Sequence, residues 1–356
     1  MPSANSQPAA AEKSVQKSSP LPKLLAHHAQ ALWYVLTVIL PVILKTGRPV
    51  IFSRYTGMGD IICTIPAARE LIKRHPKATF IYNCHTDFTD IPRLTKIADH
   101  ITSLEPIGLV GHWYSFLLGG FYHFAHGDDL PDSGCKEPMV VEFCRQFQLP
   151  VSEEHPELVA GAAAQEKAEK TLRAKDLQLD SLILIQPGPS WPVREWPEEN
   201  WTQLLAGLRE AGFSNVGQLG VSKYMNFGKV QVPVVPGAIS LINEFSIEEC
   251  IAAISEARLF IGIDSGLLHI AAGTRTPSVG IFGMTLPEYR FSPGFRSHFV
   301  TNRVDCAGCE HRKPRLHWVT GCPYDIKCMK TLPVERVLKA CLDKLAVNSR
   351  SASSVK

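Results

Sequence analysis

Residues 259–287 read LFIGIDSGLLHIAAGTRTPSVGIFGMTLP, and their reading decides the fold. The apolar run 259–263 is rich in strand formers. Asp264, Ser265 and Gly266 make a small turn that can open a helix. Residues 267–272 are helical in pattern and apolar apart from His269. A second buried strand follows over 277–282, then a loop over 283–287. A strand that enters a helix through a Gly-containing turn points free backbone N–H groups outward. The helix dipole adds positive potential there, which suits an anion such as a phosphate. An ordinary βαβ unit with no ligand has the same outline, so shape alone leaves both readings open.

Working outward, the chain carries an earlier echo of this pattern. Residues 49–53 read as a strand, YTGMGD at 55–60 as a Gly-rich turn, 61–74 as a helix and 77–83 as the next strand. Pro66 is expected to fall in the first turns of that helix, where proline is tolerated. Each half therefore has a strand, a small turn and an aspartate at a helix start, Asp60 and Asp264, which suggests two similar doubly wound domains facing a cleft. Between them, 108–132 is aromatic and His-rich with poor periodicity and reads as an irregular segment lining the cleft. Residues 157–172 form a polar, Ala-rich helix, 182–186 a strand, 187–196 a Pro- and Trp-rich loop, and 197–211 a helix opened by Pro197 and closed by Gly212. A short strand is expected within 230–236, and a capping box from Ser246 to Glu249 opens a helix reaching about 257.

Composition narrows the class. A chain of 356 residues with 45% hydrophobic and 20% charged content has room for real cores in one or two domains. A net charge of +3 argues against bulk nucleic-acid binding. Ten cysteines are too dilute for a disulfide scaffold and fit a reducing compartment. The division expected is a disordered tail over 1–20, a hydrophobic or amphipathic helix over 21–46, one domain over 47–172, a second over 180–331, a helix over 332–346 and a frayed tail over 347–356. The apolar core of the N-terminal helix, 31–44, is shorter than a spanning helix needs and holds Pro41. Three readings stand for it: an anchor on a membrane surface, a helix packed on the domain, or a span.

Three segments together resemble glycosyltransferase family 9, the heptosyltransferases of lipopolysaccharide synthesis: GMGDIICTIPAARELIKRHP at 57–76, LILIQPGPSWPVREWPEENWTQLLAGL at 182–208, and the opening stretch. The resemblance covers roughly 48–342 and leaves the N-terminal helix outside it. It implies an α/β fold of two Rossmann-like domains facing a cleft, of the GT-B type. It implies inverting, metal-independent transfer of a sugar, usually a heptose from an ADP-linked donor, to a glycolipid or lipopolysaccharide core acceptor. That work is done on the cytoplasmic face of the inner membrane, with no cofactor required. Two alternatives remain on the same architecture: a non-catalytic nucleotide-sugar-binding protein, and a nucleotide-sugar epimerase. A nicotinamide-dependent site is disfavoured, because Gly57-Met-Gly59 is followed by Asp60-Ile61-Ile62 and lacks the third glycine.

Inverting transfer needs a base for the acceptor hydroxyl and positive potential for the departing diphosphate. The resemblance makes Asp60 that base, beside Gly57 and Gly59 on the acceptor side; the plain alternative is a helix cap. It makes Arg194 the leaving-group stabiliser, with Ser190 as an added donor; the alternative is a surface arginine paired with Glu195 or Glu198. Trp191 and Trp196 read as packing residues. On the donor side, Ser265, Gly266 and Leu267 offer backbone N–H groups to the diphosphate. Asp264 is set against sugar hydroxyls, because two anions repel, and His269 is either a phosphate contact or a satisfied core residue. Gly283, Met284 and Thr285 fall at the carboxyl end of the second strand and are candidates for the nucleotide. Finally, Cys306, Cys309, Cys322 and Cys328 cluster with partial zinc-ligand spacing and read as a structural zinc site or as reduced thiols. Arg312, Lys313 and Arg315 lie between them, as a solvated basic loop or as contacts to anionic groups.

Overall fold

The computed structural model describes residues 20–103, 107–125, 137–151, 155–224, 228–292, 297–311 and 321–353. The tail 1–19, part of the irregular segment, the last three residues, and Arg312, Lys313 and Arg315 lie outside them.

Two parallel sheets organise the chain. The first holds β1 (Val50–Ser53), β2 (Phe80–Asn83), β3 (His100–Thr102) and β4 (Phe121–Phe124), in the order β3-β2-β1-β4. The second is built from β5 (Ile183–Gln186), β6 (Val216–Gly220), β9 (Ile239–Ile242), β10 (Leu259–Ile263), β11 (Ser278–Phe282) and β12 (Ser297–Thr301). The small hairpin β7 (Lys223–Tyr224) and β8 (Gly228–Lys229) stands apart from it. The second sheet runs β12-β11-β10-β5-β6-β9, so counting strands along the chain the order is 3-2-1-4-5-6, that of a Rossmann unit. The first sheet is the shorter 3-2-1-4. Every residue of β1, β2, β5, β10 and β11 is buried, as strands covered on both faces must be. The fold is therefore α/β with two Rossmann-like units, as the sequence predicts.

The N-terminal helix covers one face of the first sheet. It runs as α1 (Pro20–Tyr34), a wide turn over Val35–Ile39 and α2 (Leu40–Thr46). In the wide turn the Leu40 N–H reaches back five residues to Val35 O. Proline clashes with the carbonyl four residues back, and the widened turn lets Pro41 continue the helix instead of ending it. Ala31, Val35 and Ile39 form the inner stripe and pack on Ile51, Ile81, Val110 and Tyr114. Full burial of Val35 and Ile39 is worth about 1.5–3 kcal/mol each. The alternate strand residues Val50, Phe52, Phe80 and Tyr82 belong to the core on the opposite face, with α3 (Met58–Arg74). Of the three readings, the packed helix holds for the inner stripe. The outer stripe stays exposed at Leu24, Leu25, Trp33, Leu36 and Leu44.

Several expectations are corrected. Helix α3 starts at Met58, not residue 61, so Gly57 is its N-cap, Asp60 lies inside its first turn and Pro66 is interior. The segment expected to be irregular from 108 contains α5 (Ile107–Leu118), which follows the short α4 (Asp90–Leu94), and then β4. Its apolar character hid the helical period, because α5 packs on α1 and β4 and its exposed face still carries Phe116 and Leu117. After α6 (Met139–Gln146), α7 (Ala162–Ala174) packs on α9 (Ile247–Glu256) through buried Ala168 and Leu172. It thus sits with the second unit, not with the first as a boundary at 172 implies. The strand expected within 230–236 is β9 at Ile239–Ile242. Prolines 233 and 236 lack the N–H that a sheet ladder needs, and Gln218 instead holds this segment through Pro233 O (2.8 Å) and Val235 N (2.8 Å). The C-terminal helix runs Val334–Ser353 rather than fraying from 347, since no Gly or Pro interrupts it. The helix Glu198–Glu210, here α8, and α9 with its Ser246–Glu249 capping box match the reading.

Candidate functional site

In doubly wound sheets, ligands lie at the carboxyl ends of the strands where the order reverses. In the second unit that point is between β5 and β10. Residues just past those ends are Ser190 and Arg194 after β5, and Asp264, Ser265 and Gly266 after β10. In the first unit it is between β1 and β4, whose ends lead into Arg54 and Ala125; Arg54 Nη1 donates to Ala125 O at 3.2 Å.

Helices α3 and α10 (Gly266–Gly273) follow the central strands and pack on each other. Their glycines are set by that packing. A Cβ on Gly266 would lie 2.4 Å from Met58 Cε and 2.8 Å from Met58 Cβ. A Cβ on Gly59 would lie 2.6 Å from His269 Cδ2. The two N-terminal turns therefore abut, and Asp60 comes within a turn of the start of α10. Gly57 serves Asp60 directly: its φ is +82°, and a Cβ there would run into the Asp60 carboxylate.

Asp60 is paired with Arg54, Nη2 to Oδ2 at 2.9 Å, with 24% of its side chain still exposed. Arg54, which the sequence reading missed, is itself buried and lies over the Phe143 ring at 5.9 Å. Its signal was a charged residue at the end of the strand Val50–Ser53, one position past the apolar run and Ser53.

Asp264 has a different environment. Its Oδ2 accepts from Thr285 Oγ1 at 2.6 Å and lies 3.4 Å from Arg194 Nε and 3.6 Å from Arg290 Nε. Arg194 Nη1 also reaches Asp264 O at 3.4 Å. Burial alone would raise this carboxyl, but Arg194 and Arg290 outweigh it and hold Asp264 down at about 2. The Asp264 carboxylate, which the sequence reading sets against sugar hydroxyls, is 5% exposed and fixes two guanidiniums. Arg290, also missed, carried no sequence signal; only the fold brings it back to β10.

The other predicted residues divide. Ser190 N donates to Glu195 Oε1 at 2.8 Å, and burial raises the Glu195 carboxyl. Ser265 Oγ donates to Gln186 Oε1 at 2.7 Å, and no side chain caps the α10 N-terminus beginning at Gly266 and Leu267. His269 is buried, stacks on Phe291 at 4.4 Å and lies 3.4 Å from Cys63 Sγ through Nδ1. These are the contacts of a core residue. Trp196 packs edge-on against Trp201. Met284 and Thr285 are buried, and the 283–285 loop faces the cysteines: Gly308 N donates to Gly283 O (2.9 Å) and Glu310 N to Met284 O (3.0 Å). Gly283 has no side chain, and those of Met284 and Thr285 are turned inward. Thr285 holds Asp264, and Gly283 is hemmed by Met329 and by Cys328 Sγ. The thiols of Cys306, Cys309, Cys322 and Cys328 are close enough to feel one another's charge; burial first, then these neighbours, push Cys328 up to about 12.

Comparison with known proteins matches residues 129–318 to the family model of glycosyltransferase family 9 (heptosyltransferase). Lipopolysaccharide heptosyltransferase 1 of Pseudomonas aeruginosa is 25% identical over 128 residues, 36% of this chain and 36% of that protein, so the match spans about a third of that relative's length. Lipopolysaccharide heptosyltransferase 1 of Salmonella typhimurium is 19% identical over 318 residues, 75% of this chain and 96% of that one. Among solved structures, the dodecameric iron-containing heptosyltransferase TibC of Escherichia coli, in complex with ADP-D-beta-D-heptose, has a TM-score of 0.65 at 17% identity over 85% of this chain and 76% of its own. Its likeness shows the fold to be of the GT-B type. With its paired Rossmann-like units, and with the family model covering more than half its length, the chain belongs to glycosyltransferase family 9.

Proposed function

We propose that the protein is an inverting glycosyltransferase that moves a sugar, a heptose from an ADP-heptose-type donor, to a glycolipid or lipopolysaccharide core acceptor. The observation that carries this reading is the contact between the α3 and α10 N-terminal turns. It brings the helix start that carries the part-exposed Asp60 against the helix start that follows Asp264 and its Arg194 partner, which supports this reading. Asp60 takes the acceptor proton as the hydroxyl oxygen attacks the anomeric carbon. Arg54 holds Oδ2, which leaves the other carboxylate oxygen for that proton. The bond to the diphosphate breaks on the opposite face, and its charge falls to Arg194 and the α10 N-terminus. The two rival readings predict otherwise: a binding protein has no use for Asp60, and an epimerase needs no acceptor. Incubation with ADP-heptose and a lipopolysaccharide core acceptor, with ADP release measured, tests it. Acceptor-dependent release supports transfer; release or isomerisation without acceptor contradicts it.

The four thiols of Cys306, Cys309, Cys322 and Cys328 are of the ligand type a soft metal ion takes, and their segment is held behind the 283–285 loop through Gly308 N to Gly283 O. Bound there, an ion would supply a crosslink that stiffens this loop and, through Thr285, Asp264. The outer stripe of the N-terminal helix supports seating on the cytoplasmic leaflet. Trp33, Leu36 and Leu44 are 63%, 51% and 79% exposed, with Lys23 and Lys45 toward the two ends. Exposed Phe116 continues the patch beside Trp113, whose Nε1 donates to His28 on α1. The helix segment Lys23–Lys45 is also long and apolar enough to cross a membrane by length and composition, but its inner stripe is already occupied. Sedimentation with anionic phospholipid vesicles should be lost in Trp33→Glu/Leu36→Glu; unchanged sedimentation rules the surface out.

A further inference from the structure

Behind Asp60, one turn further along α3, lies Cys63. Its sulfur is 3.4 Å from His269 Nδ1 on α10. His155 Nε2, from the segment joining the two units, is 3.5 Å from the same nitrogen. The three ligand atoms all lie within 4.8 Å of one another, and all three residues are buried. One residue comes from each unit and one from the connection between them.

Two arrangements can satisfy these atoms. In a hydrogen-bond chain, His155 Nδ1 donates to Pro156 O at 3.2 Å and its Nε2 accepts from His269 Nδ1–H. That nitrogen has one proton and two neighbours at nearly equal distance, so it serves only one of them. In a metal site all three atoms point lone pairs at one centre. Zinc bonds of about 2.0–2.1 Å to nitrogen and 2.3 Å to sulfur, set tetrahedrally, place N···N at about 3.3 Å and N···S at about 3.6 Å. The observed N···N of 3.5 Å and S···N of 3.4 Å each fall within about 0.2 Å of those values. The outer hydrogen bond from His155 Nδ1 to a backbone carbonyl is the one that orients a metal-ligating imidazole.

We propose that Cys63, His155 and His269 form a metal site for a zinc-class divalent ion that clamps α3 to α10. The site is separate from the four-cysteine cluster, and it stands whether or not the glycosyl-transfer reading holds. Its ligands leave a fourth position for water, and its place in the fold fixes the spacing between Asp60 and the Arg194–Asp264 pair. On loading, the Cys63 thiol gives its proton to solvent and the thiolate binds the ion, with no redox change.

The test uses the full chain carrying Cys306→Ser and Cys309→Ser, so that the other cluster is silenced. The protein is stripped with chelator and titrated with Zn(II) and, separately, Co(II). One equivalent of metal is expected per chain, with a thiolate-to-cobalt charge-transfer band, nitrogen and a single sulfur around zinc by X-ray absorption, and a raised thermal midpoint. Adding Cys63→Ser or His155→Gln should abolish the band and the metal-dependent rise in midpoint. No metal uptake by the chain with Cys63 intact, or a zinc shell without sulfur, overturns the proposal whatever the variants do. Retained binding in folded Cys63→Ser and His155→Gln overturns it as well.

Discussion

The starts of α3 and α10 look alike in the sequence and differ in the folded chain. Each follows the central strand of its sheet, and each pairs glycine with aspartate. Asp60 sits inside its helix, touches one arginine and keeps 24% of its side chain exposed. Asp264 sits just ahead of its helix, holds two arginines and a threonine, and keeps 5%. A shift of the aspartate from after the second glycine to before the first turns an addressable carboxylate into a buried anchor. The difference teaches that a strand–turn–helix signature specifies a location. What the carboxylate does there depends on which cations the rest of the fold brings to it.

The largest effect should come from Asp60→Asn. Losing a general base costs about 10²–10⁴-fold in kcat. Because one side of the Asp60–Arg54 pair is partly exposed, the thermal midpoint should shift little. Wild-type kcat in this variant breaks the comparison. Asp264→Asn should do the reverse. Leaving Arg194 and Arg290 without their buried counter-charge should cost on the order of 3–5 kcal/mol in urea unfolding; a loss below about 1 kcal/mol breaks the anchor reading.

The same contrast has a pH signature. The folded pKa of Asp264, about 2, lies below its ordinary 3.8, so the carboxylate is favoured in the folded state. Its stabilising contribution is complete above about pH 4 and is lost as pH falls through about 2. The stability gap between wild type and Asp264→Asn should therefore close across that acid window; a constant gap contradicts the assignment. Smaller effects come from the glycines. Gly57→Ala forces strain at φ +82° and displaces the Asp60 carboxylate, so it should act mainly on kcat. Gly266→Ala meets Met58 and should cost about 1–3 kcal/mol of stability, partly restored by Met58→Ala. Equal behaviour of the two variants erases the distinction.

Much of this was legible beforehand because it is local. The strand–turn–helix units, the capping box at Ser246, the helix opened after Pro197 and the two-unit α/β fold all follow from short-range pattern. What was hidden is non-local. Arg54 and Arg290 gain meaning only when β1 meets β4 and when 290 folds back to β10. Gly266 reads as room for a phosphate until Met58 is seen against it. His155 has no motif, and only the packing of α3 on α10 brings it to Cys63 and His269. Helix α5 escaped notice because its exposed face carries Phe116 and Leu117, so no polar face reveals its period.

The division of labour between the two aspartates is tested most directly by calorimetric binding of ADP to wild type, Asp60→Asn and Arg194→Ala. The donor crevice is predicted to hold ADP through Arg194 and to leave Asp60 uninvolved. Asp60→Asn should then bind ADP as wild type does, while Arg194→Ala should bind it on the order of tenfold or more weakly. Weakening by Asp60→Asn as large as that by Arg194→Ala would contradict the account.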